Sequence, residues 1–276
     1  MIELTRPERR ALNRLSMQWL VLAFLNTLFL FSVYAMLGIA GQPILAIRWL
    51  TLSAIASSIF LWKVCRWLPL NRRDDHRAEV GVLMESLGAG NFVTIGRGML
   101  LAGLAGFLFS PRPSPGFLSW IPGILYSLAC CADLLDGYLA RRAGQPTHLG
   151  ERLDLFLDGF GVLFATVLLV QYGLAPQWFL LVGFARYLFL AGDWLWRRRG
   201  KAVYALLPSR VRRPLAGFVM GYTAVALLPV FSPPATVVAA YLFGIPFLAN
   251  FALDWLTVSG VISSGEYKSQ RQSLEI

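Results

Sequence analysis

The chain of 276 residues is 57% hydrophobic and 14% charged, with a net charge of +10 and a mean hydropathy of +0.59. Soluble domains carry roughly a quarter charged residues, so this composition argues against a soluble enzyme, and the aromatic content excludes a disordered chain. The apolar residues lie in long runs, and a transmembrane helix needs ~20 of them. The sequence therefore predicts a polytopic membrane protein.

Eight apolar runs are predicted as transmembrane helices. In chain order they cover about 18–40, 44–64, 91–110, 117–140, 152–172, 176–196, 214–232 and 235–257. Short breaks that contain Pro and Gly separate several of them, as is typical of tight turns between antiparallel helices. We expect an all-α bundle in which six helices form a catalytic unit and the first two form an appended hairpin.

The predicted division of the chain has three parts. Residues 1–73 are a cytoplasmic segment and the amino-terminal hairpin, 74–260 the catalytic domain, and 261–276 a cytoplasmic tail. The catalytic domain is expected to open with a short amphipathic helix on the membrane surface. This prediction rests on one apolar helical face, with the charged residues Arg77, Glu79 and Glu85 off it; the face consists of Val80, Leu83, Met84 and Leu87.

The basic residues predict the orientation in the membrane. Most of the 25 Lys and Arg lie in the termini and in the connections that eight spans place on one side, whereas the opposite side has only Arg112. By the positive-inside rule, both termini are cytoplasmic, in a multi-pass protein of the cell inner membrane. The positive charge then favours anionic lipid headgroups as partners, and no nucleic acid is expected.

Four carboxylates lie inside the predicted spans. Asp133 and Asp136 are three residues apart near the cytoplasmic end of the fourth run, and Asp154 and Asp158 are four apart near the start of the fifth. Each pair shares one helix face. At 1.5 Å of rise per residue, both pairs lie ~6–12 Å inside the cytoplasmic end, so we expect all four to meet at matching heights.

Unpaired carboxylates in such a place repel one another and are costly to desolvate. Divalent cations remove this problem, and hard oxygen ligands suit Mg²⁺ or Mn²⁺, two of which can clamp a phosphoryl group in transfer. One alternative is that the carboxylates pair with Arg141, Arg142 and Arg152 or lie in the wet interfacial zone. Another is a cation-coupled transporter, which predicts carboxylates near mid-membrane and inverted repeats, whereas these carboxylates lie near one face.

The spacing of these residues resembles the signature of a known family, the CDP-alcohol phosphotransferases. The signature has eight fixed positions, all of which match here: Asp133, Asp136, Gly137, Ala140, Arg141, Gly150, Asp154 and Asp158. The resemblance covers about residues 75–260 and leaves out the amino-terminal hairpin.

The resemblance implies an enzyme that transfers a phosphatidyl group from CDP-diacylglycerol to an alcohol, with release of CMP. It implies that the four aspartates hold two divalent metal ions, Mg²⁺ or Mn²⁺, and that Asp158 also takes the acceptor proton. Gly137 and Ala140 would let the cytidine and diphosphate approach the helix backbone, and Gly150 would also belong to the CDP-alcohol site. Arg141 would pair with the diphosphate, which suits its fork geometry. A homodimer is also implied.

The third run adds further candidates. Asn91, Thr94 and Arg97 resemble the start of the equivalent family helix, which implies that Asn91 and Thr94 bind the CDP-alcohol. Arg97 lies level with the carboxylates, where it either balances their charge or contacts the acceptor. Arg186 lies in the middle of the sixth run; a phosphate on the acceptor is one candidate partner, and Asp193 is another.

The acceptor stays open at the level of sequence. Many family members that use glycerol 3-phosphate carry Pro after the third motif Asp and Lys after the fourth, whereas this chain has Leu155 and Gly159. Glycerol 3-phosphate or an inositol-type phosphate is the expected acceptor, with Arg97 and Arg186 as its binding residues.

Overall fold

The computed structural model describes residues 5–75, 78–113, 116–142, 147–201, 203–204, 209 and 211–261, excluding the side chains of 74–75, 78–80 and 140–141. Within these ranges the chain forms eight α-helices and one pair of short strands. The helices are α1 (Arg6–Ile39), α2 (Pro43–Trp67), α3 (Gly88–Ala105), α4 (Ile121–Arg142), α5 (His148–Gln171), α6 (Leu180–Arg198), α7 (Arg212–Leu227) and α8 (Ala235–Val258).

The prediction of an all-α polytopic membrane protein is confirmed. Six helices are long and apolar enough to cross a membrane, namely α1, α2, α4, α5, α6 and α8. The other two are shorter, with 18 residues in α3 and 16 in α7. At 1.5 Å per residue, α7 is ~24 Å long, less than the ~30 Å hydrocarbon core.

Local chemistry moves some helix ends from the predicted positions. α1 begins at Arg6, well before residue 18, because Thr5 and Glu8 form a capping box at its start. α3 ends at Ala105 rather than near 110, since the chain turns through Gly106 to Phe109, which has a φ of 59°.

The predicted amphipathic surface helix is wrong. The segment instead forms two antiparallel strands, β1 (Arg72–Asp75) and β2 (Ala78–Leu83), with Arg72 opposite Leu83. Gly81 explains the difference, because its φ of +66° does not fit a helix and a Cβ there would lie 2.6 Å from the Arg73 carbonyl oxygen. Of the predicted apolar face, Leu83 and Leu87 are buried, and the side chain of Val80 lies outside the described residues. The same holds for two of the charged residues predicted off that face, Arg77 and the side chain of Glu79.

Helix α3 lies at the centre of the bundle. It packs against α2, α4 and α5, while α7 packs against α4, α5 and α8. The amino-terminal hairpin docks on α3 through small residues: a Cβ on Gly98 would collide with the ring of Phe60, and the Trp49 indole NH donates to the Gly103 carbonyl at 2.9 Å. The hairpin therefore forms part of the same packed core as the helices that follow.

Candidate active site

Helix α4 ends and helix α5 begins at the same end of the bundle, and three of the four predicted carboxylates form a cluster there. Carboxylate oxygens of Asp133, Asp154 and Asp158 lie within 4.8 Å of one another. Their side chains keep 25%, 49% and 44% of their surface exposed, so an ion in solution can reach them. Hard oxygen ligands at this range fit a divalent cation of the Mg²⁺ or Mn²⁺ type.

The fourth carboxylate, Asp136, lies outside that cluster. It is buried, at 7% exposure, and accepts a hydrogen bond from the Thr94 hydroxyl at 2.9 Å. The expectation that four carboxylates meet is therefore confirmed for three of them. Asp136 instead bonds to a hydroxyl of α3.

Arg97 of α3 lies among the three clustered carboxylates. Its guanidinium pairs with Asp133 and, at 2.8 Å and 2.6 Å, with Asp154 and Asp158, while its side chain is only 2% exposed. A buried arginine holds such a position only when it is paired, and its planar fork suits several carboxylates at once. Arg97 thus balances the charge of the cluster, which is one of the two roles expected for it.

The arginines that were the alternative partners make other contacts. Arg142 lies over the ring of Tyr138 at 5.9 Å, and Arg152 lies over the ring of Trp67 at 5.6 Å. The side chain of Arg141 lies outside the described residues, as does that of Ala140. Of the described arginines, the one that pairs with all three clustered carboxylates comes from α3 rather than from the α4–α5 connection.

Asn91 and Gly150 are held together by a network behind the cluster. The Asn91 side-chain amide donates to the Thr147 hydroxyl and to the Asn71 side-chain oxygen, both at 2.9 Å. Thr147 in turn caps α5, accepting from the Gly150 NH at 3.2 Å. A Cβ on Gly150 would lie 2.5 Å from the Asn91 side-chain oxygen, so this glycine provides the space that Asn91 occupies.

A cleft opens next to the carboxylates, between residues 84–91 and the facing ends of α4 and α5. Its lining includes most of the residues predicted to bind the CDP-alcohol, together with two of the aspartates: Asn91, Thr94, Asp136, Gly137, Gly150 and Asp154. The missing side chain at Gly137 leaves the α4 backbone open to the cleft. The cleft is polar on one side because Asp136 and Asp154 both border it.

Arg186 of α6 lies beside the residue that follows Asp158. A Cβ on Gly159 would be 3.2 Å from the Arg186 side chain and 3.0 Å from the Tyr187 hydroxyl, so both α6 residues pack over this glycine. Asp193, the other candidate partner of Arg186, instead pairs with Arg197 of its own helix at 3.0 Å.

Sequence reasoning missed three residues of this region: Asn71, Thr147 and Tyr187. Thr147 carries a readable signal, because a Thr before an apolar helical run is a common N-cap. The other two carry none, since Asn71 follows a different helix and Tyr187 belongs to an apolar run. Only the packing of α2, α3, α5 and α6 brings them to the site.

The region that holds these residues matches known proteins. A family model described as CDP-alcohol phosphatidyltransferase matches residues 88–262. One relative, the CDP-diacylglycerol–glycerol-3-phosphate 3-phosphatidyltransferase of Bacillus subtilis (strain 168), is 40% identical over 63 residues, 23% of this chain and 33% of the relative. A protein of the same name from Cereibacter sphaeroides is 34% identical over 92 residues, 33% of this chain and 40% of the relative. The chain therefore covers less than half the length of either relative.

Proposed function

The chain belongs to the CDP-alcohol phosphatidyltransferase family, and on this premise we propose that it transfers a phosphatidyl group from CDP-diacylglycerol to an alcohol. The acceptor oxygen forms a bond to the β-phosphorus, and the bond from that phosphorus to the oxygen of CMP breaks. CMP leaves, and the acceptor proton passes to a carboxylate of the site. The observation that carries the proposal is the cluster of Asp133, Asp154 and Asp158 beside an open cleft.

Two divalent ions, Mg²⁺ or Mn²⁺, are the proposed cofactors. Asp133, Asp136, Asp154 and Asp158 would hold them, and the close carboxylate oxygens of the three clustered residues support this assignment. Bound there, such ions supply charge stabilisation to a phosphoryl group in transfer. Arg97 would keep the carboxylates oriented, because it contacts three of them from inside the bundle.

The cleft is the proposed site for the cytidine diphosphate of the donor. Gly137 and Ala140 are proposed to leave the α4 backbone accessible, Gly150 to line the site, and Arg141 to pair with the diphosphate. Asn91 and Thr94 are the proposed contacts from α3. Support comes from the lining of the cleft, which includes Gly137, Gly150 and both α3 residues.

Asp158 is the proposed base for the acceptor hydroxyl. Its side chain is 44% exposed, and Arg97 holds one of its oxygens at 2.6 Å. This pairing leaves the second carboxylate oxygen available to an incoming hydroxyl, and it orients the carboxylate as a base requires.

Glycerol 3-phosphate is the first acceptor to test, since both relatives are named for its use. An inositol-type phosphate is the second. Arg186 is a proposed contact for the acceptor phosphate, supported by its position over Gly159, next to the proposed base. Arg97 would be the second cation near that phosphate.

The proposed setting is the cell inner membrane, with both termini and the cleft on the cytoplasmic side. The distribution of Lys and Arg along the chain supports this orientation. A homodimer is proposed from the family resemblance.

The test is release of CMP from CDP-diacylglycerol by the purified protein in detergent. We expect release that requires Mg²⁺ or Mn²⁺, stops with EDTA, and depends on one acceptor from a panel of glycerol 3-phosphate, inositol phosphate, inositol, serine and phosphatidylglycerol. Asp158→Asn should abolish it. Asp193→Asn is the matched control, because Asp193 lies on α6 and pairs with Arg197.

A folded protein that neither binds nor cleaves any CDP-alcohol would contradict the proposal. Cation-driven solute uptake into proteoliposomes would then favour the transporter alternative. CMP release with an alcohol outside the two favoured classes would keep the reaction and correct the acceptor.

A further inference from the structure

One wall of the cleft is formed by residues 84–91, and the first of these precede the matched family region. That region begins at residue 88, yet Met84, Ser86 and Leu87 also line the cleft. We propose that the amino-terminal hairpin positions this wall through Gln18 and Asn71, and thereby sets the affinity for the cytidine diphosphate donor. This inference rests on the function proposed above.

Asn71 connects the end of the hairpin to both sides of the wall. It follows α2, is fully buried, and uses both ends of its side-chain amide: the NH₂ donates to the Ser86 carbonyl and the oxygen accepts from Asn91, each at 2.9 Å. Its backbone carbonyl accepts from the Met84 NH at 2.9 Å. Asn71, which follows the two hairpin helices, thus holds the chain at positions 84, 86 and 91.

Gln18 of α1 contacts the same wall at Leu87, the last residue before α3. Its side-chain oxygen accepts a hydrogen bond from the Leu87 NH at 2.9 Å. Leu87 is 2% exposed, and the next residue, Gly88, has a φ of +76° that starts the helix. The direction in which the chain enters α3, and therefore one edge of the cleft, depends on this contact from α1.

The hairpin packs directly against α3. Trp49 of α2 packs between Phe29 and Phe107, and its indole NH donates to Gly103 of α3. Asn71 is also connected to Gly150 of the signature, because Asn91 links Asn71 to Thr147, which accepts from the Gly150 NH. The three clustered carboxylates, by contrast, pair with Arg97, whereas the hydrogen bond of Gln18 goes to Leu87.

Because the Gln18 contact is separate from the three carboxylates, we expect its loss to change donor binding and catalysis differently. Displacement of residues 84–87 changes the shape of the donor cleft but leaves the three clustered carboxylates in place. We therefore expect loss of the Gln18 contact to weaken donor binding, with little change in kcat or in the KM for the acceptor. A residue that only stabilises the fold would lower the amount of active protein without a selective rise in the donor Kd and KM.

The experiment compares Gln18→Leu with Gln18→Glu in the full-length protein. Leucine keeps the approximate size but accepts no hydrogen bond, so we expect the Kd and KM for CDP-diacylglycerol to rise about fivefold, the equivalent of one hydrogen bond. Glutamate retains an acceptor for the Leu87 NH and should stay within about twofold of wild type. Ser32→Ala, at an exposed hydroxyl that bonds to its own helix, is the matched α1 control.

An unchanged donor Kd in Gln18→Leu, or equal changes in Gln18→Leu and Gln18→Glu, would overturn the inference. If Gln18→Leu does not fold, Gln18→Ala makes the same comparison with Gln18→Glu, since alanine also removes the acceptor for the Leu87 NH. A wild-type protein that releases no CMP and binds no CDP-diacylglycerol would instead refute the proposed function. The two failures are therefore distinguishable.

Discussion

The acidic cluster of α4 and α5 and the wall formed by residues 84–91 border the same cleft but differ in construction. The cluster consists of charged side chains on two long helices, two of them one turn apart on α5 and one on α4. The wall consists of backbone and small or apolar side chains that follow a pair of strands, and neutral amides from elsewhere in the chain hold it. Their positions are therefore specified in different ways.

The acidic cluster carries the groups proposed to react, whereas the wall gives the cleft its shape. Clustered carboxylates repel one another, so the cluster depends on cations. Arg97 supplies one positive charge against three carboxylates, and the proposed divalent ions would supply the rest. The wall carries no such requirement and depends on whether its backbone groups find partners. We expect substitutions in the cluster to act on catalysis and on charge balance, and substitutions around the wall to act on binding.

The largest expected effect is on the cluster itself. Asp133→Asn removes one of three carboxylates that lie within 4.8 Å, and loss of several kcal/mol of charge stabilisation should lower kcat about 1,000-fold. Mn²⁺ binding, measured by electron paramagnetic resonance, should weaken in parallel. Asp193→Asn is the control, and a kcat for Asp133→Asn within tenfold of wild type would remove Asp133 from the site.

The next largest effect is on stability. Arg97→Leu leaves three carboxylates without their buried partner, so the free energy of unfolding should fall by about 3 kcal/mol. Mn²⁺ should raise the thermal unfolding midpoint of this variant more than that of wild type, because the ion replaces the lost charge. Arg197→Leu, in an exposed pair with Asp193, should cost less than about 1 kcal/mol. Equal costs for both variants would show that Arg97 does not balance the cluster.

A smaller effect is expected on the acceptor side. In Gly159→Ala the new methyl would lie 3.0 Å from the Tyr187 hydroxyl and 3.2 Å from the Arg186 side chain, so both must shift. We expect the KM for the acceptor to rise about five- to tenfold while the KM for CDP-diacylglycerol stays unchanged. Gly221→Ala, on α7 with no atom near the added methyl, is the control. A rise in the donor KM alone would show that Arg186 does not face the acceptor.

The smallest effect is expected at an exposed ion pair between α1 and the wall. Arg14 pairs with Glu85, but both side chains are exposed, at 66% and 59%, and such pairs contribute less than about 1 kcal/mol. Arg14→Ala should therefore leave the Kd for CDP-diacylglycerol within about twofold of wild type, by the same binding assay. A rise as large as that expected for Gln18→Leu would mean that surface charge, rather than the buried amide contacts, holds the wall.

The membrane class, the helices and the juxtaposition of α4 and α5 carboxylates could be predicted from sequence. Long apolar runs and helical spacing are local properties, and a short connection forces neighbouring helices to meet end to end. The surface helix could not be predicted correctly, because apolar residues at 80, 83, 84 and 87 fit a helical face as well as they fit a strand and a turn. Gly81 was the one local sign of the strand.

Sequence by itself determined which residues carry the charge and how far each lies from the end of its helix, since both follow from the helical rise and the order of residues along α4 and α5. Only the tertiary structure decided which partners they have. It separates Asp136 from the other three carboxylates, places Arg97 among those three, and brings Asn71 and Gln18 to the cleft. These contacts join residues far apart in the chain, and they depend on how α1, α2 and α3 pack, which no local pattern specifies.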